Sequence, residues 1–274
     1  MNCLQLHPLA GGLGAEVVGY DFERHPDEGI AQSLRRALLE HGLLLVRATP
    51  PDPPRQIAFT RLFGAVMQTC SPRTRFLPAF PEIVRVSNRQ EQGHLNVGQY
   101  WHSDGAYLAD PTAISIHHVV IATEDGHTLY TDLAAAYARL SPEEARRLSR
   151  LRTRSQTGVT HPLVVTHPVT GRRSLYVNLD PAAAIIGESG EEAAGALELL
   201  RGHLDREGTC YRHQWRSGDM IVVDNFAVAH HATPADPRAL RVLHRTAIHG
   251  PSVWWRLEAE RGGRMAAGQS ARRA

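Results

Sequence analysis

The chain has 274 residues, 42% of them apolar and 21% charged, with a formal net charge of +2, the make-up of an ordinary globular protein of one large domain or two small ones. The balanced charge leaves no electrostatic footprint for nucleic acid, and with neither a run of ~18 apolar residues nor a signal-type N-terminus a cytoplasmic protein without membrane contact is expected. Lysine does not occur, all 30 basic side chains being arginine, which removes a pyridoxal Schiff base, a P-loop lysine and a kinase-type ATP lysine together, since each needs an amine.

In chain order, residues 8–20 read as a glycine-rich turn and a short strand around 15–18. Their glycines lack the G-x-G-x-x-G order of a dinucleotide-binding loop. Residues 30–40 place Ile30, Leu34, Ala37 and Leu38 on one face and Gln32, Arg35 and Arg36 on the other, an amphipathic helix that Gly42 ends. A fully buried strand at 43–46 and a second helix at 55–63 follow. Residues 83–86 predict a strand, 88–99 a polar loop, 113–122 a β-branched strand and 128–132 another. Helices are expected at 133–140 and after Ser141, which has Pro142 at N1 and Glu144 at N3. A hairpin spans 161–178, a long helix 191–206, and strands 210–215, 220–223 and 241–249 close the pattern. Short strands with helices appended predict a mainly β protein with flanking helices, a sandwich or jelly roll. One domain over residues 1–260 is expected, with a flexible tail at 261–274. Cys3, Cys70 and Cys210 are widely spaced and form no C-x-x-C, so buried free thiols are expected rather than disulfides or a zinc site. Trp254-Trp255 leaves open an internal packing role or a subunit contact in a homo-oligomer.

Chemistry concentrates in Trp101-His102-Ser103-Asp104 and, far downstream, His230. In a strand, residues i and i+2 share a face, so His102 and Asp104 could present an imidazole and a carboxylate to one ion. His230 would complete a 2-His-1-carboxylate triad of the non-haem Fe(II) type. Alone, H-x-D is weak in a chain with 16 histidines, because a solvated turn carries the same pair. Arg241 and Arg245 share a face if 241–249 is a strand, and an inward arginine needs an anion, either a ligand carboxylate or a structural Asp or Glu.

The order of four motifs is more specific: W-H-x-D at Trp101–Asp104, G-x-T-L at Gly126-His127-Thr128-Leu129, Gly218-Asp219 with Asp224-Asn225 and His230, and the pair Arg241 and Arg245. Together they resemble the TauD/TfdA family of Fe(II)- and 2-oxoglutarate-dependent dioxygenases over roughly residues 10–250. The resemblance implies a double-stranded β-helix with His102, Asp104 and His230 as iron ligands and hence the catalytic centre, and His231 as a structural neighbour. It implies that Thr128 and Arg241 bind the distal carboxylate of 2-oxoglutarate, with Arg245 beside the cosubstrate or facing an anionic substrate group. It also implies O2 as second cosubstrate, succinate and CO2 as products, and hydroxylation of a small molecule as the default outcome, with desaturation or rearrangement as alternatives. Asp104 argues against halogenation, which in related enzymes uses a site lacking the carboxylate. The spacing from Asp104 to His230 is short, which implies a trimmed lid or insert, and Gly98 stands where the taurine enzymes carry a substrate-contacting asparagine, which argues against taurine. Arg73 and Arg75 fall on a substrate-facing loop of the family, where they either bind an anionic substrate group or, as the favoured reading, form a solvated surface pair, and Asn96, within the 88–99 loop, and Tyr107 are further candidates for lining the pocket. Two other classes compete: a zinc hydrolase or isomerase on a similar barrel, which would leave Arg241 and Thr128 without a task, and a non-catalytic ligand-binding barrel.

Overall fold

The computed structural model describes residues 4–24, 26–68, 75–95, 98–206, 209–254 and 256. Cys3, Cys70, Trp255 and the tail at 261–274 lie outside them. A large sheet carries, in order, Gln5–Pro8, Ala15–Val18, Leu43–Val46, Met220–Asp224, Thr112–Ile121, Val242–Val253, Phe80–Ser87 and Phe76–Leu77. A three-stranded sheet, Cys210–His213, Thr128–Asp132 and Val228–Ala232, forms the opposing wall of the jelly roll.

The apolar run Leu43–Val46 is buried on both faces because two layers meet there. Leu44 and Val46, with Met220 and Val222, face the helices Glu28–His41 and Pro53–Arg61 through Leu34, Leu38, Phe59 and Phe63. Leu43, Leu45, Ile221 and Val223 point the other way, onto Tyr130, Tyr211, Val228 and Trp215 of the small sheet and its margin. This is the strand period of two, with an apolar residue required at every position. A third cluster under the small sheet joins Trp101, Leu133, Leu163, Leu175 and Ala229 to the helix Gly190–Leu204.

Local signals act as expected at the helix ends. Asp27 Oδ1 accepts from the Ile30 amide at 2.8 Å, and Gly42 takes a left-handed φ of 70°, where a Cβ would meet Val228 Cγ2 at 2.9 Å. Ser141 and Glu144 form the reciprocal capping box. The helix expected at 133–140 ends at Ala138. Strands Gln5–Pro8, Arg152–Arg154, Thr160–Pro162, Ala184–Ile186 and Val228–Ala232 were not legible in the sequence, since three to five residues show little periodicity. Cys210 is a half-buried free thiol whose Sγ donates to the Leu204 carbonyl. Trp254 packs internally, edge-on to Phe63 with ring centroids 6.1 Å apart. No helix among the described residues is long and apolar enough to cross a membrane.

His118 and His244 pair across adjacent strands of the large sheet, with ring centroids 6.3 Å apart. Burial is the main cause that pushes each down to about 4, aided by His244 at His118 and by Arg85 at His244. Both are neutral in the fold and take up protons on unfolding below the ordinary value of 6.5. Their contribution to stability is therefore present above about 6.5 and lost as pH falls towards 4. Thermal melts are expected to show Tm falling across that window, and His244→Val to flatten the fall; an unchanged slope would remove this pair as its cause.

Candidate functional site

The first candidate ligand is not on a regular strand, contrary to expectation. His102 makes only an isolated antiparallel bridge to His230 and another to Asn178, and the chain turns from Asp104 onward. The bridge brings the histidines together more directly than strand periodicity would. His102 N donates to the His230 carbonyl at 3.1 Å, His230 N donates back at 2.9 Å, and the ring centroids lie 4.2 Å apart. Trp101 anchors the segment: its indole sits in the cluster under the small sheet and donates from Nε1 to Asp205.

One ligand atom from each of His102, Asp104 and His230 lies within 4.8 Å of the others. Asp104 Oδ1 is 3.6 Å from His102 Nε2 and 3.9 Å from His230 Nε2. His102 Nδ1 lies 2.8 Å from the Tyr100 carbonyl. A carbonyl only accepts, so Nδ1 carries the proton and Nε2 presents its lone pair to the centre. His230 is buried and held well below the usual histidine range, by burial first and by the neighbouring His102 second, so it is the neutral imidazole that metals require. Burial opposes ionisation of Asp104, yet Arg245 and the surrounding imidazoles outweigh it and hold the carboxyl well below its ordinary value.

The other oxygen of Asp104 is occupied. Ser115 Oγ donates to Oδ2 at 2.6 Å, and His117 Nε2 lies 3.3 Å from the same atom. Asn225 ties the group together, accepting from the Asp104 amide at 3.1 Å and donating to Ser115 Oγ at 3.0 Å. The carboxylate is thus oriented with Oδ1 towards the two Nε2 atoms. Ser115 and His117 escaped the sequence reading. Their signal was two polar residues at i and i+2 within the buried part of the strand Thr112–Ile121. Asp219 and Asp224 prove architectural: Asp219 bonds His213 at 3.0 Å and Arg47 at 2.9 Å, and Asp224 meets His167 at 2.9 Å.

A cavity of about 410 Å³ opens beside the triad, and Thr128, Arg241, Arg245, His117 and Tyr107 all line it. The two arginines differ in their partners. Arg245 Nη1 reaches Asp104 Oδ1 at 3.0 Å. Arg241 is pinned by its backbone, whose amide donates to Asn88 Oδ1 and whose carbonyl accepts from Ser87 Oγ. The side chain is half-buried, its Nε is buried with no hydrogen-bond partner, and no carboxylate lies within ion-pair reach among the described residues. Burial lowers its pKa. Thr128 Oγ1 accepts from Trp215 Nε1 at 2.9 Å, which leaves the threonine's own proton to donate into the cavity. A half-buried cation with no carboxylate partner and a hydroxyl donor beside the same cavity is a cradle for a carboxylate.

The remaining sequence candidates separate. His231 turns away from the triad and packs edge-on against Trp101 at 5.6 Å. Gly98 lines the cavity with φ +79°, where a Cβ would meet His102 Cε1 at 2.8 Å, so glycine is what lets the ligand ring lie there. Tyr107 is in the wall and 47% exposed. Arg75 is exposed and forms no part of the wall, because the strand at Phe76–Leu77 sits at the far edge of the large sheet. Arg73 and Asn96 lie outside the described residues.

Residues 5–247 match the profile described as "Taurine catabolism dioxygenase TauD, TfdA family". Pentalenolactone F synthase of Streptomyces arenae is 28% identical over 93% of this chain and 99% of its own length. An alpha-ketoglutarate-dependent sulfate ester dioxygenase of Pseudomonas putida is 25% identical, with 90% of each chain covered. Among solved structures, a taurine dioxygenase from Burkholderia xenovorans superposes with a TM-score of 0.78 at 32% identity, covering 90% of this chain and 89% of that one.

Proposed function

The chain belongs to the TauD, TfdA family of dioxygenases, and from that premise we propose that it is an Fe(II)- and 2-oxoglutarate-dependent dioxygenase oxidising a C–H bond of a small molecule. His102 Nε2, Asp104 Oδ1 and His230 Nε2 would hold the metal, and the cavity opens beside these three atoms. Arg241 and Thr128 bind the distal carboxylate of 2-oxoglutarate. Fe(II) with 2-oxoglutarate and O2 supplies the oxidising power, with release of succinate and CO2 and hydroxylation as the default outcome.

The chain's own residues do the positioning. The Tyr100 carbonyl fixes the tautomer of His102, while Ser115 and His117 keep Oδ2 of Asp104 engaged so that one carboxylate oxygen faces the metal. Arg245 balances the Asp104 charge in a site where burial alone would protonate it. Val84, Val86 and Leu243 give the cavity apolar wall that limits water around the reacting carbon.

The observation that carries this reading is Arg241, a half-buried cation with no carboxylate of its own among the described residues, beside the same cavity as three convergent metal-ligand atoms. A zinc hydrolase on the same scaffold gives that cation nothing to do. Aerobic incubation with Fe(II) and 2-oxoglutarate is expected to yield slow, chelator-sensitive succinate formation even without a primary substrate. Succinate formation that survives metal removal, or that is equal in His230→Ala, would contradict the proposal.

A further inference from the structure

One charged group in the cavity wall is used neither by the metal nor by the cosubstrate. Asp180 lies in the wall next to Asn178, the residue that bridges His102. Its Oδ1 accepts from the Ala182 amide at 2.8 Å, and the Gln156 side-chain amide approaches both carboxylate oxygens at 3.2 Å. Among the described residues no arginine or histidine nitrogen comes within ion-pair reach of it, although the chain carries 30 arginines. The cavity's own cations are otherwise engaged: Arg245 is matched by Asp104, and on the reading above Arg241 is matched by 2-oxoglutarate.

Position adds to charge. The Tyr100 ring packs against the ligand His102 with centroids 5.0 Å apart, and its hydroxyl end faces Asp180. Asp180 therefore lies beside the tyrosine that packs on the ligand His102. Tyr107, Val84, Val86 and Leu243 line the same cavity. Carboxylate, aromatic rings and hydrocarbon together are the recognition set for an alkylammonium ion. An anionic end group in the same place would meet Asp180 with no unengaged cation beside it.

We propose that the substrate of this enzyme is a small aliphatic amine, bound as its ammonium ion by Asp180 and the neighbouring tyrosine face, with its carbon chain extending towards the metal. The inference rests on the dioxygenase reading and concerns the outer half of the same cavity. It differs in sign from the anionic substrate that the paired arginines suggest in the sequence.

The test uses the anaerobic enzyme loaded with Fe(II) and 2-oxoglutarate and a matched series: pentylammonium, 1-pentanol, pentanoate and pentyl sulfate. Each is titrated while the charge-transfer band of the chelate is followed. Pentylammonium is expected to shift the band at a concentration roughly tenfold or more below that of pentanoate or pentyl sulfate. Asp180→Asn is expected to erase that preference, because asparagine still accepts from the Ala182 amide and keeps the turn but carries no charge. A lower half-effect concentration for either anion, a preference unchanged in Asp180→Asn, or no response to any of the four would overturn the inference. Failure of the band to form before any amine is added would count instead against the dioxygenase reading.

Discussion

Replacing Asp104 with alanine is expected to lower metal affinity by at least ~100-fold and to abolish succinate formation, while also costing stability. The two losses have different origins. The first is removal of the only carboxylate among the three convergent ligand atoms. The second follows from what the carboxylate holds in the apo-protein: Arg245 at 3.0 Å, Ser115 at 2.6 Å and His117 at 3.3 Å, all bound to a buried group. Breaking a buried pair from one side leaves the other charge uncompensated, at a cost of about 3–5 kcal/mol. Adding Arg245→Met to Asp104→Ala is therefore expected to restore much of the lost Tm without restoring metal binding. Metal content by elemental analysis and melting curves of the single and double variants check both halves. A double variant that regains metal would show that Asp104 acts through stability alone.

Arg241→Met is expected to behave in the opposite way. The wild-type side chain is half-buried, with no hydrogen-bond partner for its buried Nε and no carboxylate in reach among the described residues. Its removal should leave the apo-protein as stable or more so, since a partly desolvated charge without a partner is itself destabilising. The loss falls on the cosubstrate, as KM for 2-oxoglutarate rises about 100-fold, the worth of a charge-assisted carboxylate contact of roughly 3 kcal/mol. A second readout needs no turnover: with the metal bound, 2-oxoglutarate at 100 times its Kd should stabilise wild type by about 2.7 kcal/mol, and Arg241→Met far less at the same concentration. Equal stabilisation of the two proteins would move the cosubstrate away from Arg241.

Much of this was legible in the chain because the informative residues carry signals at two scales. Leu43–Val46 could be read as buried on both faces from four consecutive apolar residues, and Ser141 with Glu144 as a cap from its spacing. The candidate site was readable only from the order of its separated parts, His102 and Asp104, Thr128, His230 and Arg241. No local rule pairs His102 with His230 across the fold. That pairing is a backbone bridge rather than a strand face, so the period-of-two argument for His102 and Asp104 relied on a geometry that the fold does not use. Ser115 and His117 stayed hidden because polar residues in a buried strand look alike until the group they face is known. The distinct partners of Arg241 and Arg245 were hidden too, since periodicity places both on one side without saying which meets Asp104. Asp180 in an Asp-Pro step reads as a turn former, and only the cavity gives its free charge a meaning.

The central claim is that one metal ion and one 2-oxoglutarate share the centre formed by His102, Asp104, His230 and Arg241. Anaerobic titration of the metal-free protein with Fe(II) and then 2-oxoglutarate tests it most directly. A visible charge-transfer band is expected only when both are present, absent in His102→Ala and displaced to much higher 2-oxoglutarate concentration in Arg241→Met. Tight Fe(II) binding with no band at any 2-oxoglutarate concentration would contradict the account and assign the triad to a different metal chemistry.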